Sequence, residues 1–490
     1  MKKYIKIVAL IIATISVGSC QDLDKLSEDP NKVKEADPYL ILPNVSKSAF
    51  ALGGIGKEYA SRMIIQTDGD NSNQYFKWSS SSFGSYKDLL QVQKMMDEAK
   101  RTNKEEYVAV GHFLKARMFY DLAITFGDVP YSEALKGEDK IPFPKYDKQE
   151  DVFVGVLKEL EQAAIKIQNK NALRGDIIYG GSIEKWKRLI NSYQLKVLMS
   201  LSKKKTVGTI NVAEQFAKVY NAGNLLANNS DNGQLTYYDQ AGSRYPQFNS
   251  SSYGSSMYMS GTFINLLKDL KDPRLFAFAQ QTAGAMEKGL PITDFSGYNG
   301  GDPTVPYAEN EKLVQAKNIS KVKSRYYLDP TNEPTNILSY SELQFILAEA
   351  AARNWIGGDA ADFYYKAISA NFEFYNTYAK GMASYYTKQA VEEYIAQPTV
   401  KYQGGNLDGQ LKQILTQKYI TMFHQSNWTI YYDHLRTGYP EFKLQEGITP
   451  PTRWQYPQSE YNRNQSNLQQ ALNTQFGGAD NICGITWWLK

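Results

Sequence analysis

Residues 105–131 read EEYVAVGHFLKARMFYDLAITFGDVPY, and this stretch decides how the rest of the chain is arranged. At 100° per residue, its apolar side chains, from Val108 to Phe126, fall on nearly every side of a helix. A helix that is apolar all round has no face suited to water, so it belongs in the interior. Gly127 and the turn at Asp128-Val129-Pro130 end it. The stretch therefore predicts a buried central helix over residues 105–126.

Two of the few charged residues in this helix, Arg117 and Asp121, are four positions apart. That spacing brings both side chains to one face of a helix. With the basic residue first, this pair would stabilise an isolated helix less than the reverse order would. We therefore assign it a role in the interior of the fold and interpret it as a buried structural ion pair.

The composition is that of a globular protein, with 490 residues, 42% hydrophobic and 22% charged. The formal net charge is +4, and it falls to +1 without Lys2, Lys3 and Lys6, which lie in a segment we expect to be removed. No electrostatic footprint for nucleic acid remains. The chain has 36 Tyr and only 3 His, which favours recognition by rings over acid–base or zinc chemistry.

The first twenty residues, MKKYIKIVALIIATISVGSC, predict an export signal. A basic start precedes an apolar run over residues 7–17 that is too short to span a bilayer. Gly18 and Ser19 precede Cys20, which resembles a bacterial lipobox. We expect a signal peptide over residues 1–19 and a lipid anchor on Cys20, and the alternative is an ordinary signal peptide with an incidental cysteine. The only other cysteine is Cys483, so lipidation of Cys20 leaves no intramolecular disulfide.

Apolar periodicity predicts an all-α dominated fold of tetratricopeptide-like helical hairpins, although no segment matches the repeat consensus. The clearest hairpin is 339–375, where Ser339 and Glu342 form a capping box and Gly357-Gly358 ends the first helix. We expect a single domain over residues 20–490, with a helical scaffold mainly in 44–222 and 339–425 and a loop-rich lobe mainly in 225–338 and 426–490. The remaining predicted helices lie in 44–66, 89–100, 151–168, 183–201, 266–276 and 411–423, and the one in 266–276 is expected to end at Asp272-Pro273.

Aromatic residues are concentrated in the loops, among Ser, Gly and Asn. Such segments combine rigid stacking faces with adaptable hydrogen-bonding groups, which is typical of a binding surface. The alternative is that the rings pin long loops to the core. The candidate ligand-binding rings are Tyr75, Trp78, Tyr245, Phe248, Tyr253 and Tyr298, and the candidate polar partners are Asn73, Gln74 and Arg325.

Several motifs in order along the chain resemble the SusD/RagB family of nutrient-binding outer-membrane lipoproteins. The quoted motifs are FGDVPY (126–131), DPN (29–31), LLKDLKDPRLF (266–276), YSELQFILAEAAARNW (340–355), WTIYYDHLRTGYP (428–440), TRWQYPQSEYNRN (452–464) and TWW (486–488). This resemblance implies a SusD-like fold, a glycan or oligopeptide cargo and a TonB-dependent SusC-like outer-membrane transporter as partner. It supplies no binding residue, because the shared motifs contain none.

Three patterns that could indicate catalytic or metal-binding residues have a simpler, structural explanation. Glu342 and Glu349 are two turns, roughly 10 Å, apart on one helix, whereas glycosidase carboxylates must face each other across a bond. We expect Glu342 to serve the cap and Glu349 a structural hydrogen bond. The ten-residue spacing of His424 and His434 has no metal-site rationale. The spacing of Asp68, Asp70 and Ser72 matches the first three ligand positions of an EF-hand calcium loop. The twelfth position of such a loop needs a bidentate Glu, and the residue there is Ser79. We therefore expect no catalytic residue, no metal and no cofactor.

The sequence thus predicts a cell-surface lipoprotein of the outer membrane that binds a glycan nutrient by stacking its sugar rings on aromatic side chains, without cleaving it. The alternatives are an oligopeptide-binding subunit of the same kind of transporter and, from a different class, an α-helical glycan-cleaving enzyme. A purely structural subunit of the transporter is a further possibility and predicts no affinity for cargo.

Overall fold

Helices dominate the computed structural model, which describes residues 35–168, 172–425 and 427–490. The predicted signal peptide and Cys20 lie outside the described residues. The first seven helices are α1 (Pro38–Phe50), α2 (Gly56–Ala60), α3 (Ser85–Arg101), α4 (Glu105–Phe126), α5 (Gln149–Lys166), α6 (Ile183–Ser200) and α7 (Val212–Ala222). Six short helices follow: α8 (Ser251–Ser255), α9 (Gly261–Asp269), α10 (Leu275–Phe278), α11 (Ala283–Glu287), α12 (Tyr307–Gln315) and α13 (Arg325–Leu328). The C-terminal helices are α14 (Tyr340–Ala352), α15 (Ala360–Tyr378), α16 (Lys388–Ala396), α17 (Leu407–Thr421), α18 (Thr429–Thr437), α19 (Gln458–Arg463) and α20 (Gln465–Phe476).

The strands are short, and those of the described residues form antiparallel pairs. The pairs are β1 (Ile64–Gln66) with β5 (Met257–Met259), β2 (Thr206–Val207) with β3 (Ile210–Asn211), and β4 (Gly233–Leu235) with β6 (Thr335–Leu338). In the first pair Ile65 lies opposite Tyr258. This pair joins the segment before α3 to the middle of the loop-rich lobe. Because the strands are few and short beside the helices, the prediction of an all-α dominated fold is confirmed.

Helix α4 occupies the interior, as its sequence predicts, and it has the predicted bounds. It is buried along its length, from Glu106 to Phe126, and packs between α3 and α5. Gly127 ends it with φ 101°, a conformation that favours glycine. The predicted Arg117–Asp121 pair forms at 3.1 Å, with the Arg117 side chain buried and the Asp121 side chain partly exposed.

The predicted 339–375 hairpin is confirmed as α14 and α15. The Ser339 side chain accepts a hydrogen bond from the Glu342 backbone N–H at 3.0 Å, which caps α14. Asp359 caps α15 by accepting from the Ala361 N–H at 2.9 Å. The Glu342 side chain does not serve the cap as predicted, because its carboxylate lies 2.9 Å from the Lys196 ammonium of α6.

Two predicted helices are wrong in their extent. The stretch 44–66 divides into α1, α2 and β1 around the Gly53-Gly54 pair, and α1 begins earlier, at an Asp37 cap. Its last residues are extended because Ile64 and Ile65 pair with β5. The predicted break at Asp272-Pro273 is present, because Pro273 supplies no backbone N–H to continue a helix, but α9 begins earlier, at Gly261, and ends at Asp269, and α10 follows the proline.

A buried ionic network joins three helices in the C-terminal part of the chain, α14, α17 and α18. Lys418 of α17 lies 2.8 Å from Asp433 of α18, and Arg436 of α18 donates to Glu349 of α14 at 2.8 Å. Glu349 also accepts from Arg353 at 2.9 Å, which confirms its predicted structural role. All these side chains except Arg353 are less than one-tenth exposed. Removing one member of such a network leaves a buried charge without a partner, which is strongly destabilising.

The charges around Glu349 make its contribution to stability depend on pH. Burial raises its pKa, but the Arg436 charge and hydrogen bonds outweigh burial and lower the pKa from 4.5 to about 2. Because the folded-state pKa lies below the unfolded value, the ionised group stabilises the fold above about pH 4.5 and loses this effect as the pH falls towards 2. The shift corresponds to about 3 kcal/mol.

We predict that Glu349→Gln lowers the free energy of unfolding by about 3–5 kcal/mol at neutral pH. The difference between the wild type and the variant should shrink by about 2 kcal/mol when urea unfolding is repeated near pH 3. Glu392→Gln is the control, because Glu392 is 63% exposed and 3.9 Å from its partner Lys388. A difference that stays constant from pH 7 to pH 3 would show that Glu349 is not held ionised by this network.

Candidate functional site

Trp78, a candidate ligand-binding ring, lies in an aromatic cluster and is 7% exposed. Its ring stacks on Trp454 with centroids 3.8 Å apart and meets the edge of Trp428 at 5.1 Å. Its indole Nε1 is buried without a hydrogen-bond partner among the described residues. The ring therefore fastens the 67–86 loop to the C-terminal segments instead of offering a free stacking face.

The neighbouring candidates in this loop are also engaged in internal contacts. Gln74 is 0% exposed, and its Oε1 accepts from the Gln66 N–H at 2.8 Å. The Tyr75 hydroxyl donates to the Val305 carbonyl at 2.9 Å, and Tyr75 is 9% exposed. Asn73 is half-buried, and its backbone N–H donates to the Asn71 side chain at 3.0 Å. These contacts bind the loop to residues 303–305 of the loop-rich lobe.

The candidate rings of the lobe itself are mostly interior. Tyr253 and Tyr298 are 0% exposed, and Tyr245 is 3% exposed. The Tyr298 hydroxyl donates to the Ile292 carbonyl at 2.8 Å. Phe248 is half-buried beneath the Arg244 guanidinium, 5.2 Å from its ring centre.

Arg325, predicted to hydrogen-bond a ligand, is used within the fold. Its guanidinium lies 2.8 Å from the Glu333 carboxylate and donates to the Tyr378 carbonyl at 3.0 Å. The stacking and polar roles predicted for Tyr75, Trp78, Tyr245, Tyr253, Tyr298 and Arg325 therefore need correction. A large ring in a loop of small residues gains most by burying its apolar area, so the loop folds around the ring.

A concave surface that solvent can reach lies next to the buried rings of the lobe. It is a cleft of about 300 Å³, which we call the lobe cleft. It is lined by Tyr258, Gln280, Gln281, Ala283, Met286, Val314, Lys317, Ile319, Lys321 and Tyr327. The volume is at the lower end of the range usual for small-ligand sites.

Paired extended segments fix the wall of the lobe cleft. Tyr258 of β5 bridges Lys321, and Ala279 bridges Val322, so residues 279–280 and 320–322 continue the β1–β5 sheet. Helix α11 supplies Met286 and is capped by Thr282, whose side chain accepts from the Ala285 N–H at 3.1 Å.

The lobe cleft offers rings together with amide groups. Tyr327 is half-buried, and the buried Tyr253 ring supports it from behind at 5.9 Å and 31°. Burial raises the pKa of both Tyr258 and Tyr327, so both hydroxyls stay neutral at physiological pH and can donate hydrogen bonds. Gln280 adds an amide that can donate and accept, and Gln281 adds an acceptor, because its Nε2 already donates to the Leu290 and Pro291 carbonyls at 3.2 and 2.9 Å. The arrangement suits a polar ligand with flat apolar faces.

The histidines weighed in the sequence have structural surroundings. His434 Nδ1 lies 2.9 Å from the Pro440 carbonyl, its ring stacks on Phe442 at 4.2 Å, and burial lowers its pKa. His424 lies 3.4 Å from the Glu58 carboxylate and 3.4 Å from the Tyr253 hydroxyl. No group of three or more metal-ligating side chains lies together within the described residues.

The sequence reasoning missed Gln280, Gln281, Met286, Lys317, Lys321 and Tyr327. None of them is among the loop residues predicted to bind a ligand. Tyr327 directly follows another tyrosine, Tyr326, which is fully buried. Only the packing of α13 against Tyr253 shows which of the two rings faces the cleft.

Together these features describe a helical scaffold with a cleft lined by rings and amide side chains. A SusD-like family profile, described as "Starch-binding associating with outer membrane", matches residues 30–457, and the chain belongs to this family. Its members are binding proteins rather than enzymes, and they are associated with the outer membrane. Among the described residues, no helix is long and apolar enough to cross a membrane.

Solved structures agree with this assignment. A SusD homolog from Bacteroides fragilis is 45% identical, with a TM-score of 0.89, and the alignment covers 93% of this chain and 100% of that one. A second SusD homolog from the same species is 32% identical, with a TM-score of 0.87 and the same coverage. A chitin-binding protein is 25% identical, with a TM-score of 0.73, again over 93% and 100% of the two chains. No curated protein is significantly similar to the chain.

The corrected role of the buried rings can be tested at Tyr298. Tyr298→Ala should lower the free energy of unfolding by about 3–5 kcal/mol, because it empties a fully buried site. Tyr298→Phe removes only the hydroxyl bond to Ile292 and should cost about 1 kcal/mol. Urea unfolding of both variants makes the measurement. Wild-type stability in Tyr298→Ala would mean that the ring does not hold this loop.

Proposed function

We propose that the protein binds a glycan in the lobe cleft at the surface of the outer membrane. The single observation that carries the proposal is the half-buried Tyr327 ring, supported from behind by Tyr253 and flanked by Gln280 and Gln281. The C–H face of a pyranose packs on such a ring, while amides bind its hydroxyl groups. The family description and the chitin-binding relative support this cargo class.

The protein is proposed to deliver this glycan to a TonB-dependent SusC-like transporter in the outer membrane. Lipid on Cys20 would hold it there, facing the cell exterior. The resemblance to SusD/RagB lipoproteins and the sequence around Cys20 support this arrangement.

An oligopeptide remains the second candidate cargo, since amides also pair with peptide groups. Calorimetric titration with oligosaccharides and with oligopeptides of similar size separates the two. The third candidate, a glycan-cleaving enzyme, has less support, because both carboxylates considered for catalysis are buried in ion pairs, Glu342 with Lys196 and Glu349 with Arg436. A structural subunit of the transporter would bind neither cargo.

We predict that Tyr327→Ala weakens glycan binding at least tenfold, since stacking of the sugar on this half-buried ring is lost. The measurement is retardation in gels containing a range of soluble polysaccharides, followed by calorimetry with the one that binds. Tyr238→Ala is the matched control, because Tyr238 is 60% exposed and does not line the lobe cleft. Equal binding by the wild type and Tyr327→Ala would remove the cleft from the proposal.

The anchor is tested by a pair of cysteine variants in cells. Cys20→Ser should release the protein from the outer-membrane fraction, because a thioether-linked lipid needs the sulfur. Cys483→Ser should leave the distribution unchanged, since Cys483 is a partly buried free thiol. Fractionation with immunoblotting measures both. Retention of Cys20→Ser in the membrane fraction would contradict a lipid anchor at this position.

A further inference from the structure

A solvent-exposed aromatic ring lies outside the lobe cleft, on the loop before α5. Phe143 is 57% exposed, although the chain buries most of its large apolar side chains. Pro142 and Pro144 flank it, and the prolines restrict the backbone both at their own positions and at Phe143. A single exposed ring is ordinary on a protein surface, so the surroundings of Phe143 decide its role.

Two asparagine side chains hold this loop in place. The side-chain amide of Asn467 in α20 donates to the Phe143 carbonyl at 3.0 Å, and that of Asn464 donates to the Pro144 carbonyl at 2.8 Å. Asn467 also donates to Asn464 Oδ1 at 2.8 Å, which links the two contacts. The backbone that carries the ring is thereby fixed while the ring stays in solvent. A ligand that stacks on Phe143 would find it already positioned.

The helix that supplies Asn467 presents an uncharged polar face to solvent. Residues 464–479 contain no Asp, Glu, Lys, Arg or His, whereas the solvent side of a surface helix ordinarily carries charges. Leu468 and Leu472 of this helix are buried. Its exposed side chains are amides and hydroxyls, which border an open space of about 550 Å³: Gln465, Ser466, Gln469, Gln470, Asn473 and Thr474.

Two of these amides are available to a ligand. Within the part of the chain that the structure describes, the side chains of Gln465 and Gln470 make no hydrogen bond. Gln470 follows Asn467 by three positions, which places it beside the Phe143 loop on the helix surface. The first charged residue after the ring, Lys145, lies 3.8 Å from the Glu133 carboxylate. The ring and the two amides therefore form one neutral surface.

We propose that Phe143, Gln465 and Gln470 form a second glycan-binding surface, which we call the α20 surface, suited to a neutral polymer. This inference rests on the proposed function, because it gives the same cargo a second contact. The C–H face of one sugar unit packs on Phe143, and hydroxyl groups of nearby units bind the two amides. A charged face would lose hydration against such a polymer without gaining a counter-charge.

The composition of the α20 surface favours a glycan over a protein partner. The centre of a protein interface is rich in apolar and aromatic area, whereas α20 exposes amides and hydroxyls beside a single ring. A second contact also suits a long polymer, because binding at the lobe cleft raises the effective concentration of the remaining polymer at the α20 surface. The α20 face and the lobe cleft share no residue, so each can be tested by its own variant.

The test measures retardation in gels that contain amylopectin, galactomannan or glycol chitin, three soluble neutral polymers. Phe143→Ala and the double variant Gln465→Ala/Gln470→Ala are compared with the wild type. Tyr327→Ala, alone and combined with Phe143→Ala, reports on the lobe cleft in the same gels. Circular dichroism of each variant verifies the fold, which changes at exposed positions should preserve.

Two control variants match the substitutions by side-chain type. Tyr238→Ala removes a ring that is 60% exposed, and Gln389→Ala removes an exposed amide on α16. Neither residue lines the lobe cleft or the face of α20. Both controls should retain wild-type retardation.

We expect Phe143→Ala and the double glutamine variant each to weaken retardation about threefold on the polymer that the wild type binds, because stacking or hydrogen bonds are lost. Phe143→Ala combined with Tyr327→Ala should weaken it more than either change alone, since the two surfaces hold separate parts of one polymer.

The possible failures are distinguishable. Wild-type retardation of both α20-surface variants overturns the inference and leaves the lobe cleft in place. If these variants also fail to co-purify with an outer-membrane transporter, the face is a protein interface instead. An equal loss in Tyr238→Ala overturns the inference too, because the ring effect is then unspecific. A loss in Phe143→Ala with wild-type retardation of Tyr327→Ala supports the α20 surface and overturns the lobe cleft. Absence of binding to all three polymers overturns both.

Discussion

The enclosure of α4 is the constraint on which the other elements depend. A helix that is apolar on all sides is stable only when protein surrounds it, and its last carbonyl groups then need donors that water cannot supply. The C-terminal segment provides them: the Trp454 N–H donates to Thr125 at 3.1 Å, and Arg453 Nε donates to Phe126 at 2.9 Å. Residues more than 300 positions away thereby complete the central helix. The C-terminal motifs are therefore part of the core.

The scaffold around α4 combines apolar packing with buried charges. The network of Lys418, Asp433, Arg436 and Glu349 fixes the angle at which α14, α17 and α18 meet, since each carboxylate must reach its cation. Apolar contacts alone would tolerate small shifts between these helices. Arg274, fully buried and paired with Asp272 at 2.6 Å, donates to Asn371 of α15 and to Gln417 of α17, each at 2.8 Å, and so ties the turn after α9 to the same helical core. The loops of the lobe thus start from fixed positions.

The lobe shows how a segment with little regular structure becomes rigid. Its tyrosines are used mainly as interior anchors, and their hydroxyls satisfy loop carbonyls such as those of Ile292 and Val305. Once these rings are buried, a few side chains are left to form the concave surface. The Tyr327 ring packs at a tilt of 31° against the buried Tyr253 ring, which restricts its motion. Two neighbouring tyrosines therefore differ in exposure: one anchors the lobe, and the other lines the cleft.

The sequence alone determined the central helix to the residue, the α14–α15 hairpin, the Arg117–Asp121 pair and the family, because these depend on local periodicity, caps and motif order. It located the aromatic-rich loops but not which rings would be exposed. Tyr253 and Tyr327 have the same chemistry, and contacts with residues distant in the chain decide that one is 0% exposed and the other half-buried. The extended state of residues 64–66 also required a distant partner, β5. Exposure and strand pairing are properties of the assembled fold, so only the tertiary structure could decide the site.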